Sequence, residues 1–185
     1  MDSNTDIKDR LVSGNNMFRK SMDPAFIARL SKKHELFVAI LACSDSRVSP
    51  EKVFNLSLGD AFVVRVAGNC ASDSVVLGSL EYAVSRLNVK ALLVLGHTRC
   101  GAVKAVLENE DPGNLMHAMQ DIGRARYKTP TDRTSSPDSV AESNVRLQLR
   151  MLEVNSGVIM DAVNGGKLTL LGAMLDLSTG TVSFV

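Results

Sequence analysis

Tryptophan is absent from this 185-residue sequence, and two tyrosines and six phenylalanines bring the aromatic share to only 4%. The core must therefore be aliphatic, and a 45% hydrophobic content is enough to build one domain of this length. An excess of one charge is also missing. The 21 basic and 20 acidic residues leave a formal charge of +1, with no clustered Lys/Arg run such as a nucleic-acid surface needs. No apolar stretch reaches the roughly 18 residues of a membrane span; the best candidate, residues 89–96, is strand-sized. The first residues, Met1-Asp2-Ser3-Asn4-Thr5-Asp6, lack the basic and apolar regions of a secretory leader. Three cysteines do not make a disulfide framework in such a chain. The expectation is a cytoplasmic globular protein with no nucleic-acid or membrane partner, whose thiols are buried, reactive or metal-bound.

What is present is an alternation of short apolar runs and amphipathic stretches, the pattern of βαβ units. Strands are expected over residues 36–42, 61–66, 89–95 and 168–175, with a short one over 181–184 after the Ser178-Thr179-Gly180 turn. Continuous aliphatic runs suit strands covered on both faces. The fold class is therefore α/β: a central, mostly parallel sheet of about four parallel strands plus a short C-terminal antiparallel strand, flanked by helices. Helices are expected over 73–87, with Asp73 as N-cap, and over 101–108, 138–154 and 156–163, the last closed by Asn164-Gly165-Gly166. The whole chain, 1–185, reads as one domain. Residues 1–33 form a helical extension in two pieces broken at Asp23-Pro24, and 124–137 a mobile polar loop.

Two chemically loaded segments each follow a strand: Cys43-Ser44-Asp45-Ser46-Arg47 and Gly96-His97-Thr98-Arg99-Cys100-Gly101. In open parallel sheets, ligands bind beyond the carboxyl ends of strands where the strand order reverses. Two such loops on adjacent strands would bring Cys43, His97 and Cys100 into one crevice as a Cys2His set. Zinc accepts these donors, and three of them leave the fourth position for water or substrate. Gly96 and Gly101 give the backbone room to turn. A cation held there lowers the pKa of its water to roughly 7. Arg47 would keep Asp45 ionised through a charge-assisted pair. Asp45 then either accepts a hydrogen bond from that water or reaches the metal as fourth ligand. Any one of these cysteines alone would more commonly be a small core hydrophobe. Cys70 is read as a structural or free thiol, His117 as packing or surface, Lys104 as a helix-face charge and Arg65 as half of an internal ion pair.

Taken in context, these residues resemble the β-class carbonic anhydrases, whose pattern is Cys-x-Asp-x-Arg followed downstream by His-x-x-Cys. The resemblance runs from about Phe37 to the C-terminus. It includes Leu41–Glu51, Leu58–Asn69, Leu77–Ala83, Val94–Lys104 and Lys167–Asp176. It implies Zn2+ held by Cys43, His97 and Cys100, with Asp45 and Arg47 as the catalytic dyad. Gly101 would present its backbone N–H to substrate. Phe62 would line the pocket of a neighbouring subunit, so the site would belong to a homodimer or higher homo-oligomer whose N-terminal helices pack on the partner subunit. The implied reaction is reversible hydration of CO2 to bicarbonate by zinc-bound hydroxide. The chain departs from the family where many members carry Gln nine residues before Cys43; His34 stands there, as a substitute hydrogen-bond group toward substrate. It also has Phe54-Asn55-Leu56-Ser57 where relatives often read Phe-Asp-Gln-Gly. Some members close the zinc with the dyad Asp and carry Trp, Gly and Tyr at the positions of Ile40, Ala42 and Leu175. Their absence here implies an open site with Asp45 paired to Arg47. The alternatives are a carbonyl sulfide or carbon disulfide hydrolase using the same zinc site, and an inactive zinc-binding homologue.

Overall fold

The computed structural model describes residues 4–33, 35–111, 113–126 and 136–185. They form two units divided between Glu35 and Leu36. The first holds α1 (Asn4–Ser21) and α2 (Pro24–Leu30). The break between them is local chemistry. Asp23 caps α2 by accepting from the Ala25 N–H at 2.9 Å, and Pro24 at the first helical position has no N–H to lose. Within this unit Arg29 lies over the Phe26 ring at 5.5 Å, and Ile7, Leu11 and Phe18 are exposed.

The second unit is a five-stranded sheet made of β1 (Val38–Cys43), β2 (Ala61–Val66), β3 (Ala91–His97), β4 (Thr169–Leu175) and β5 (Val182–Phe184). The order is β2-β1-β3-β4-β5, parallel except for the antiparallel β4–β5 pair. β1 has β2 on one side and β3 on the other, so the order reverses beside it. The helices are α3 (Pro50–Val53), α4 (Ser74–Ser85), α5 (Gly101–Leu107), α6 (Met116–Arg126), α7 (Pro137–Asn155) and α8 (Gly157–Asn164).

Alternation along β1 and β3 divides the core. Ala39, Leu41, Leu92 and Val94 face α4, α7 and α8 through Leu80, Val145, Leu152 and Ile159. Val38, Ile40, Ala42, Leu93 and Leu95 face the other way, against Val48, Val53, Phe54 and Leu56. All six β1 residues are buried, and each such Leu or Ile contributes roughly 1.5–3 kcal/mol. α4 is capped as expected: Asp73 accepts from the Val75 N–H at 2.8 Å.

The expected 124–137 loop needs correction at both ends. Arg124–Arg126 close α6 and Pro137 opens α7, because the apolar Ile122 and Ala125 keep the helix on the core through Arg126. Residues 127–135 lie outside the described residues. α3 is a single turn, too short to show periodicity in the sequence.

Candidate metal centre

The two loops meet at the carboxyl ends of β1 and β3. Cys43 is the last residue of β1, His97 the last of β3, and Cys100 the N-cap of α5. Their donor atoms all lie within 4.8 Å of one another, and all three residues are buried. His97 is oriented by its neighbour: Nδ1 lies 2.9 Å from the Thr98 carbonyl, which fixes the proton on that nitrogen. Thr98 is itself locked to β4 and beyond, donating its N–H to the Leu175 carbonyl at 2.9 Å and accepting from the Leu177 N–H at Oγ1 at 3.0 Å. His97 Nε2 is then a buried atom with no hydrogen-bond partner. Leaving a buried polar atom unpaired is costly, and the thiols of Cys43 and Cys100 are what surround it. Two sulfurs and one imidazole nitrogen suit zinc, and the set fits that ion.

The three groups also perturb one another's titration. The hydrogen bond from Cys100 holds the Cys43 thiol well below its ordinary value, against burial and with help from His97. The same contact, with burial, holds Cys100 above it. Burial opposes a charged imidazole at His97, but the nearness and charge of the Cys43 sulfur outweigh it and raise the value. Cys70 is excluded from the group. Its thiol hydrogen-bonds the Gly68 carbonyl at 3.3 Å, and burial, with the charge of Asp121, pushes it up to about 12.

Beside the cluster, Arg47 forks onto Asp45. Nε donates to Oδ1 at 2.9 Å and Nη2 to Oδ2 at 2.7 Å, while the Arg47 backbone N–H reaches Oδ1 at 3.0 Å. This hydrogen bonding by the guanidinium holds the Asp45 carboxyl well below the usual carboxylate range. A carboxylate offers about four lone-pair sites, so one on Oδ2 is left to receive another donor.

Arg65 corrects an expectation. Among the described residues it makes no ion pair; it donates to the carbonyls of Cys43 at 3.1 Å and Asp45 at 2.6 Å, so its guanidinium clamps the loop backbone. Phe62 is not brought to the cluster. It pairs in register with Ala39, whereas Cys43 pairs with Val66, four residues and so about 13 Å farther along the strand. Its ring packs at 6.4 Å from that of Tyr82. Gly101 opens α5, His117 is exposed, and Lys104 pairs with Glu108 at 3.8 Å on the helix surface. His34 lies outside the described residues.

Several supporting residues escaped the sequence reading: Thr98, Asp138, Asn144 and Gln148. Asn144 donates to the Gly68 carbonyl at 2.8 Å and accepts from Gln148, which accepts the Ala71 N–H at 2.8 Å. This buried chain fixes the left-handed turn at Gly68 and Asn69 (φ 69° and 47°) behind the cluster. Two polar residues spaced i, i+4 on the apolar face of α7 were the available signal.

The sequence profile of the carbonic anhydrase family matches residues 38–182. Carbonic anhydrase 2 of Mycobacterium tuberculosis is 38% identical over 146 residues, covering 76% of this chain and 70% of its own. Beta carbonic anhydrase 3 of Arabidopsis thaliana is 36% identical over 121 residues, covering 60% and 47%. Among solved structures, a tetrameric β-carbonic anhydrase from Sordaria macrospora superimposes with a TM-score of 0.86 at 25% identity, covering 99% of this chain and 98% of that one.

Proposed function

From the premise that this chain belongs to the β-class carbonic anhydrase family, we propose that Cys43, His97 and Cys100 hold a zinc ion with which the protein interconverts CO2 and bicarbonate. The observation that carries the reading is the buried, unpartnered Nε2 of His97 facing two thiols, with the Asp45–Arg47 pair alongside. When bound, zinc supplies the Lewis acidity that makes water a nucleophile at neutral pH. The rest falls to the chain. Cys43, His97 and Cys100 supply three ligands from rigid strand ends. Asp45, ionised and forked by Arg47, accepts a proton-bearing group at its remaining Oδ2 lone pair and so orients the attacking oxygen. The backbone N–H of Gly101, unused by α5 itself, is a donor for the oxygen of substrate or product. His34 supplies a further hydrogen bond in the place of the family's glutamine.

Phe62 serves a second protomer rather than its own site, and the active form is a homodimer or a larger homo-oligomer of the kind seen in the tetrameric relatives. β2 is an edge strand of the sheet, which supports this. No described helix is long and apolar enough to cross a membrane, and the compartment we assign is the cytoplasm. The test is stopped-flow CO2 hydration with a pH indicator on protein of measured zinc content. Activity proportional to zinc is expected. Fully zinc-loaded protein without activity would leave the inactive-homologue reading standing, and hydrolysis of carbonyl sulfide alone would replace the substrate.

A further inference from the structure

The peptide of Arg99 stands in the left-handed region, with φ 54°, a conformation that side-chain-bearing residues keep only when their surroundings hold it. Both its polar groups are occupied. Its N–H donates to Asp138 Oδ1 at 2.8 Å, and its carbonyl accepts from Arg47 Nη2 at 3.3 Å. The same Nη2 holds Asp45 Oδ2 at 2.7 Å. One hydrogen-bonded chain therefore runs from the first turn of α7 through the peptide of Arg99 to the guanidinium of Arg47 and the carboxylate of Asp45.

We infer that Asp138 is a positioning residue for the Asp45–Arg47 pair, acting through the backbone of Arg99. The inference rests on the reading that this pair serves CO2 hydration. The placement of Asp138 is fixed by independent packing. Asp138, Ala141 and Val145 share one face of α7 at i, i+3 and i+7 spacing. That face is pressed against β3 at Gly96, where a Cβ would meet Val145 Cγ2 at 2.5 Å and the Ala141 carbonyl at 3.7 Å. α7 thus sits against the strand that ends in His97, and Asp138 is carried over the turn that follows. An aspartate in a first helical turn also complements the helix dipole. If that were its only role, its removal would weaken α7 and would be indifferent to Arg47.

The experiment uses the zinc-loaded full chain. With Asp138→Ala, amide hydrogen exchange at Arg99 should quicken by about tenfold, and kcat/KM should fall by about tenfold, equivalent to ~1.4 kcal/mol. Zinc content should stay unchanged, and the lost dipole interaction should lower the melting temperature by no more than about 4 °C. Asp138→Asn keeps an acceptor oxygen and should restore both values to within about threefold. In an Arg47→Ala background, Asp138→Ala should add less than about twofold. Unchanged Arg99 exchange with unchanged kcat/KM would overturn the proposal. So would a tenfold loss persisting in the Arg47→Ala background, or one that follows lost zinc. If Arg47→Ala leaves CO2 hydration intact, the reading of the pair has failed instead, while the exchange rate still decides whether Asp138 anchors Arg99.

Discussion

Replacing Gly96 by alanine tests whether the close approach of α7 to β3 sets the position of His97. A Cβ there would lie 2.5 Å from Val145 Cγ2 and 2.7 Å from Met174 Sδ, against an optimal carbon contact of about 3.5–4.0 Å. Met174 has a flexible side chain and can retreat. Val145 cannot, because it is fully buried and its β-branched χ1 is fixed within a helix. The strain must then pass into the backbone of α7 or β3. Overpacking of this kind costs about 1–3 kcal/mol, and the reduced freedom of the unfolded chain returns about 0.4–1 kcal/mol. The net loss is roughly 1–2 kcal/mol, which lowers Tm by about 2–8 °C for a chain of this size. Because His97 is one of the three proposed ligands, zinc affinity should fall with it, measured by competition with a chromogenic chelator. Val145→Ala in the same chain removes the clashing methyl. It is costly alone, at about 0.8 kcal/mol per methyl plus a cavity term, but the double variant should be more stable than the sum predicts by ~1 kcal/mol. Additive losses, or a Gly96→Ala protein that melts higher than the parent, would refute the reasoning.

Cys43→Ser and Cys100→Ser should each abolish zinc binding, whereas Cys70→Ser should leave about one zinc per chain by elemental analysis, because Cys70 turns its thiol to the Gly68 carbonyl. Asp45 should contribute no inflection to the pH–rate profile above pH 6. Its depressed folded value means that the stability it confers is complete above the unfolded carboxylate's ~4 and is lost only as pH falls below that. Steep cooperative loss of activity between pH 8 and 6 would contradict this. Sedimentation at micromolar concentration should give a dimer or larger species, and an active monomer would remove the role assigned to Phe62. His34→Ala should lower kcat/KM by more than about twofold with zinc unaffected; an unchanged value would make it an ordinary surface histidine.

The sheet was legible because its strands are buried on both faces and so read as unbroken aliphatic runs. The expected span 61–66 is the observed β2, and the other strands shift by one or two residues where loop backbone continues the ladder. The metal cluster was legible for a related reason: Cys43 and His97 end adjacent strands, and strand order alone brings such ends together. α3 was not legible, since four residues carry no period.

The supporting residues are of a different kind. Arg65 reads as a charge in search of a carboxylate, but it sits on β2 beside β1, and what lies within its reach is the carbonyl edge of the loop leaving Cys43. Asp138 reads as a helix-start residue, which it also is. Its bond to Arg99 depends on how closely α7 approaches β3, and that distance is set by the missing side chain at Gly96, forty-two positions earlier in the chain. Sequence patterns announce which side chains carry charge or ligate metal. They do not announce which backbone groups those side chains hold, because every residue supplies the same N–H and carbonyl. That is why the Cys43, His97 and Cys100 group and the Asp45–Arg47 pair could be proposed from their spacing and from the family resemblance, while the backbone contacts of Arg65, Thr98 and Asp138 required coordinates.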